Sequence, residues 1–372
     1  MKILYLFRDL PSIMYQWQHY HFIDEMAGYG CVFDIISPDS YNDLDSYYEA
    51  VLEKVEQETY DLIMTCLGDK YLSIEFVKKL KLQGIKTLLF CPDNLVVPYN
   101  HRSIAPLFDL VWLTSKETEY LFKKWNCNTV FLPYAANPDF LKPPSPPEKE
   151  IEKIRRVCFV GTPHGSRIKT INCLLQNNIP VTIYCSKQYA ESRNSIQAST
   201  TDIIKKIWDK VRFPIGRKLL IGLILDKLKK EELDLNSEYL EIKDPVPITQ
   251  LPEIYNSYYL ILSFSEAESS AYLKHPVDIV NLRNFEIPMS GGIQFVRETN
   301  ELKQYFTDRE SVVFYKDSAD MIKKAKDFLS SDDNTVLEIR RRSRIIAEEN
   351  HTWMIRFKTV FSLLRLKERA ND

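Results

Sequence analysis

Residues 278–299 read DIVNLRNFEIPMSGGIQFVRET. Ile279, Leu282, Phe285 and Met289 recur at helical spacing, Gly291-Gly292 stops the pattern, and 293–296 is a β-rich run, so the stretch reads as helix, glycine stop, strand. Pro288 falls inside the helical part, where it costs roughly 3 kcal/mol against a good helix former, and predicts a short, bent helix. The same stretch carries Asp278, Arg283 and Glu286. A costly proline beside three charged groups points to a site.

Upstream, 252–259 reads as a helix and 260–264 as a strand that would bring Ser263, Ser265 and Glu266 to the same rim. Downstream, 311–315 reads as a strand, and 319–330 and 336–350 as helices. The alternation begins at the start of the chain, with strands at 3–7, 31–36, 61–65, 86–91, 110–113 and 129–132 and helices at 44–58, 73–83 and 116–125. It resumes with strands at 156–160 and 181–185 around a helix at 167–176. Strand and helix in turn mean α/β architecture, with parallel sheets covered on both faces. Five prolines between Pro138 and Pro147 break the series and read as a linker. The expected division is a first Rossmann-like domain at 1–140, a Pro-rich linker at 141–153, a second Rossmann-like domain at 154–350 with a basic helical insertion at 200–235, and a terminal helix at 351–372.

Composition sets the outer bounds. A chain of 372 residues, 45% apolar and 27% charged, is ordinary globular material long enough for two domains. A net charge of −2 gives no reason to expect a nucleic-acid partner. Seven scattered cysteines, mostly within apolar runs, read as buried thiols of a reducing cytoplasm, and no CxxC or Cys/His cluster predicts a structural metal. The apolar start is closed by Arg8-Asp9, which suits a strand rather than a signal peptide, and nowhere do the eighteen apolar residues of a membrane span run together.

RNFEIPMSGG, then TNELKQYF, SVVFYKD and ENHTWMIRF at 349–357, resembles the C-terminal half of the CgeB-like glycosyltransferases, a group-1-type branch of the GT-B fold. The order and spacing hold from 283 to 357, which makes the match far more specific than the RxFE tetrapeptide alone. The resemblance implies two doubly wound domains facing across a cleft, a nucleotide-sugar donor on the second, a glycan or lipid-linked acceptor on the first, and retention of anomeric configuration without a bound metal or cofactor. It also implies that Glu286 holds the donor ribose and that the final helix, after His351 and Trp353, crosses back to the first domain. Related retaining enzymes carry glutamate eight residues earlier, where this chain has the shorter Asp278.

The residue chemistry gives this set its own reason. A nucleotide sugar offers hydroxyls at both ends and a diphosphate between, which calls for carboxylates flanking cations and amide donors. If the segment were wholly helical, Asp278 and Glu286 would stand about 12 Å apart, at ~1.5 Å per residue. An N-cap aspartate and a buried, paired glutamate is the structural alternative. The strand at 156–160 ends in Gly161-Thr-Pro-His-Gly-Ser166, a glycine-containing loop opening a helix and similar to the family's FVG…R pattern, so the diphosphate would lie here with Arg167, Arg283 and Lys274 as cations. His164 is a candidate for contact with phosphate or the transferred sugar, Gly291 a candidate donor contact, and Asp93, after the strand at 86–91, a group that could position an acceptor hydroxyl or simply belong to a turn. Tyr15, Trp17, His19 and His21 form either an aromatic acceptor platform or ordinary packing.

Three other readings stay open. A nucleotide-sugar epimerase of the same fold would need two acid/base groups around one carbon. A transferase of CMP-activated acid sugars is suggested by His275-Pro276. A non-catalytic glycan-binding descendant would have lost the phosphate-binding groups. Separately, residues 202–230 hold nine lysines and arginines against three aspartates, interleaved with apolar residues. They read either as a helical hairpin covering its own domain or as a peripheral contact with an anionic membrane surface at the inner face.

Overall fold

The computed structural model describes residues 1–143, 154–186, 200–229, 231–267 and 270–366. The expected linker therefore lies outside the described residues from 144 to 153. The chain forms two compact units, Met1–Asn137 with Thr352–Asp372, and Pro138–His351.

The first unit is built on six parallel strands: β1 (Lys2–Leu6), β2 (Val32–Ile36), β3 (Leu62–Thr65), β4 (Lys86–Cys91), β5 (Leu110–Leu113) and β6 (Thr129–Phe131). Their order is β2-β1-β3-β4-β5-β6. β3 and β5 are buried along their whole length, as strands covered on both faces require, and this is why they read as apolar runs, broken only by Thr65 at the end of β3. Side-chain caps define two of the flanking helices: Asp43 accepts from the Ser46 N–H at 2.8 Å and Ser73 from that of Phe76 at 3.1 Å.

Between β1 and β2 the chain makes a helix at Ile13–Gln18, a wider π-type turn at His19–Ile23 and a helix at Asp24–Ala27. The aromatics there pack. Trp17 sets its ring against Phe22, Phe90, Tyr134 and Trp353, His21 is buried, Tyr15 receives a hydrogen bond from Arg8, and His19 pairs with Asp9. Trp353 belongs to the last helix, Trp353–Leu364, whose free N-terminal amides are met by Glu25, which accepts from the N–H groups of Trp353 and Met354 at 3.2 and 2.7 Å.

The second unit has β7 (Ile154–Val160), β8 (Val181–Tyr184), β9 (Leu240–Lys243), β10 (Tyr258–Leu262), β11 (Gln294–Arg297) and β12 (Val312–Tyr315), all parallel in the order β12-β11-β10-β7-β8-β9. β9, of sequence LEIK, is a strand that the period-2 reading did not anticipate. Arg340, buried on the helix Asp333–Asn350, donates to the carbonyls of Asn256 and Tyr258 at the start of β10.

The opening stretch is corrected in one respect. Its helix covers only Arg283–Met289, and Asp278 lies before it in an antiparallel bridge with Glu266, so the axial spacing expected between Asp278 and Glu286 does not exist. Pro288 lies inside the helix, one residue before its end. The insertion forms two helices, Thr200–Val211 and Pro214–Lys229, which pack on each other through a close approach at Gly216, where a Cβ would stand 2.1 Å from the Lys210 carbonyl oxygen. No described helix is long and apolar enough to cross a membrane.

Candidate functional site

In the second sheet, β8 and β9 lie on one side of β7, and β11 and β12 lie beyond β10. The winding therefore reverses between β7 and β10, and the loops leaving the carboxyl ends of those two strands flank the crevice where open parallel sheets hold ligands. The first loop carries Gly161 and His164. The second carries Ser263 and Ser265.

Gly161 has φ +138°, a conformation that side chains disfavour, and a Cβ added there would stand 3.0 Å from a terminal nitrogen of Arg283. The loop ends at Gly165, φ +57°, which opens the helix Ser166–Leu175 with neither a side-chain cap nor an acidic residue in its first turn. Arg167, on that first turn, donates to the Thr162 carbonyl at 3.2 Å and lies over the rings of Phe159 and Phe264 at 5.9 and 5.6 Å. Arg283 covers Phe159 at 6.0 Å. Two guanidiniums thus share one aromatic floor. Burial first, then the charge of Arg283, lowers Arg167 to about 10, against the opposing pull of Glu266. Among the described residues neither arginine forms an ion pair. Two adjacent cations beside an uncapped helix N-terminus form a place short of a counter-ion.

The second loop and the helix Arg283–Met289 are tied together by amides. Asn281 donates to the Phe264 carbonyl at 2.7 Å and accepts from the Arg283 N–H at 3.1 Å, so it caps the helix from just outside. Asn284 accepts from the Asn281 N–H at 2.8 Å and donates to Gln294 at 3.1 Å and Ser263 at 3.4 Å. Ser263 and Ser265 are both buried, and the Ser265 hydroxyl has no hydrogen-bond partner among the described residues. Glu286, one helical turn beyond Arg283, is buried too. The Tyr255 hydroxyl feels both charges: burial and Glu286 raise its pKa, and Arg283 pulls it down. Arg283, Glu286, Arg167, Gly161, Ser263 and Ser265 are thereby gathered around the reversal point.

The remaining candidates are placed differently. Arg297, at the end of β11, donates to both Glu266 and Asp278, which commits the Asp278 carboxylate to an ion pair within the unit. His164 stays in the first loop, its carbonyl accepting from the Arg167 N–H at 3.2 Å; desolvation and then Arg167 lower its pKa, with Asp226 opposing. Lys274 is exposed in the bend before Asp278. Gly291, φ +69°, stops the helix ahead of β11 and so sits at the amino end of that strand, opposite the two loops, against Asn256 and Pro143. Asp93 is in the first unit, on the turn after β4, with its pKa raised by desolvation. Its neighbour Asn94 is buried, donating to the Ser115 carbonyl and the Thr118 hydroxyl at 2.7 Å each. No described cluster of three or more His, Cys, Asp or Glu could hold a metal ion.

Sequence reasoning missed Asn281, Asn284, Arg297, Tyr255 and the ring floor of Phe159 and Phe264. For the two asparagines a signal was present, since short amides beside a helix start commonly cap it. The others are joined across distant segments and leave no local mark.

Residues 218–362 match the family described as "Glycosyl transferase-like". No curated protein sequence matches the chain. Among solved structures, Anabaena HepE in complex with UDP superposes with a TM-score of 0.61 at 11% identity, covering 98% of this chain and 100% of that one. Sucrose-phosphate synthase from Thermosynechococcus elongatus gives 0.58 at 12% identity, with 98% of each chain covered. An E. coli structure described as trehalose-6-phosphate bound with UDP-2-fluoro glucose gives 0.56 at 11% identity, covering 99% of this chain and 100% of that one. The fold is GT-B, and residues 218–362 are similar in sequence to the glycosyltransferase-like family.

Proposed function

We propose that this glycosyltransferase takes a nucleotide sugar, a UDP-sugar by analogy with the ligands named for its structural neighbours, and passes the sugar to a glycan or other surface-polymer acceptor. The observation that carries the reading is the pair Arg167 and Arg283, two guanidiniums over Phe159 that form no ion pair among the described residues, at the uncapped helix start behind Gly161. The donor diphosphate supplies the missing counter-charge. Glu286 accepts from the ribose, Ser263 and Ser265 offer hydroxyls, and Lys274 reaches in from its exposed bend.

Glycosyl transfer places negative charge on the departing diphosphate. Fixed guanidiniums and helix amides aimed at that charge stabilise the transition state without rearranging, and one such donor is commonly worth ~3 kcal/mol. The charge balance is met by side chains, so the reading calls for no metal or cofactor. His164 lies beside Arg167, where a neutral imidazole can meet the transferred sugar. Asp93 is the acceptor-side carboxyl. Asp278 acts through its ion pair with Arg297, which shapes the loop around Ser265. Retention of configuration and the CgeB-like subtype belong to this proposal, as does a cytoplasmic location, which suits seven cysteines that form no disulfide.

Incubation with a panel of nucleotide sugars tests it, because transferases slowly pass the sugar to water. Release of nucleoside diphosphate, lost in Arg167→Ala and Arg283→Ala, supports the proposal. A changed sugar still joined to its nucleotide would move the assignment to an epimerase.

A further inference from the structure

The insertion turns its apolar stripes outward. On the helix Thr200–Val211, Ile204, Ile207, Trp208 and Val211 stand at i, i+3, i+4 and i+7, one continuous face, and all four are exposed, Ile204 at 61% and Trp208 at 64%. On the helix Pro214–Lys229, Ile221, Ile224 and Leu228 form a second exposed stripe, with Leu228 at 73%. The inward face is made by Phe213, Gly216, Leu219 and Gly222, which are buried. A hairpin serving only to cover its own sheet would have this arrangement reversed. Seven large apolar side chains in two stripes exceed the scattered exposure ordinary on a soluble surface and mark a surface that something covers.

Charge selects the occupant. The segment 202–230 carries nine lysines and arginines against three aspartates, on a chain whose overall charge is −2. Arg212, Arg217, Lys218, Lys227 and Lys229 are exposed around the stripes. A second copy of the chain would bring the same positive surface against itself, because a two-fold interface pairs like with like. An anionic surface with a greasy interior satisfies both features. We infer that the helical pair Thr200–Val211 and Pro214–Lys229 docks on an anionic lipid bilayer, apolar stripes in the interface and basic residues among the headgroups.

The hairpin also reaches the proposed donor site. Asp226 acts on His164, and Lys229 lies 4.9 Å over the ring of Tyr272, in the turn Ser270–Tyr272 on which the helix packs. Docking would hold that site beside a lipid-linked acceptor. This consequence rests on the proposed function; the docking does not.

The full chain is sedimented with vesicles of phosphatidylcholine alone and of phosphatidylcholine with phosphatidylglycerol, at low and high salt, alongside the variant Ile207→Glu/Ile224→Glu, whose changes fall on exposed positions. The expected result is at least about tenfold stronger binding to the anionic vesicles at low salt, loss at high salt, and loss in the variant with an unchanged melting temperature. No preference for anionic vesicles overturns the inference. So does a dimer in solution that the same variant dissolves, since a second copy would then cover the face. Nucleotide-sugar thermal shifts, measured separately, keep a failure of the docking distinct from a failure of the donor site.

Discussion

Arg283 is positioned from three sides: Gly161 leaves the space, Phe159 the floor, and Asn281 the cap on its helix. Gly161→Ala puts a methyl 3.0 Å from the guanidinium at a strained φ, so donor affinity should fall about tenfold or more with the fold intact, as calorimetry against the cognate nucleotide would show. Glu286→Gln should weaken nucleotide binding in the same assay, and unchanged affinity would remove Glu286 from the ribose. A different residue governs acid behaviour. Burial lowers His101 to about 4 from 6.5, so below 6.5 the unfolded chain takes up a proton that the folded chain refuses. Stability should therefore fall as pH drops from about 6.5 to 4, by up to roughly 3 kcal/mol, and His101→Gln should flatten urea midpoints across that window. That Gly161, Arg167, Arg283 and Glu286 stand near one another could be expected from the sequence, because glycine before a helix and charge beside a costly proline are local signals. Asn281, reaching Phe264, and Arg297, reaching Glu266, were not, because their partners are set by sheet order.

The elements were legible wherever burial on both sheet faces wrote an apolar run, as in β4 and β5, whose bounds agree with the periodicity. Short mixed segments escaped: β9 at the sheet edge has no apolar run, and the π-type turn at His19–Ile23 imitates a plain helix. Asp278 stands neither on the helix nor at its N-cap, the two places the sequence offered for it. Arg297 draws it instead into a bridge with Glu266, an interaction in tertiary structure that outweighs local propensity. Arg297→Ala should leave the largely buried Glu266 carboxylate unpaired and lower stability by about 2 kcal/mol, discounted because Asp278 is partly in solvent; chemical denaturation checks this. A midpoint like that of the parent would mean the pair does not hold the loop.

At the scale of the molecule, the first unit is discontinuous in sequence, since Trp353 lies in its core against Trp17, Phe22, Phe90 and Trp112. Ending the chain at His351 should expose that core, giving aggregation or early melting of the first unit by calorimetry. The two winding orders were beyond sequence reading, because alternation fixes parallel strands without fixing their neighbours. Yet that order is what puts the Gly161 loop beside Ser263. The central claim is that the adjacent guanidiniums of Arg167 and Arg283 receive a nucleotide diphosphate, and a thermal-shift titration of nucleotide sugars on the parent and on Arg283→Ala tests it most directly. The account predicts that one nucleotide sugar stabilises the parent, by about 2.7 kcal/mol at a hundred times its dissociation constant, and the variant far less. No shift with any nucleotide sugar, or equal shifts in both proteins, would contradict it.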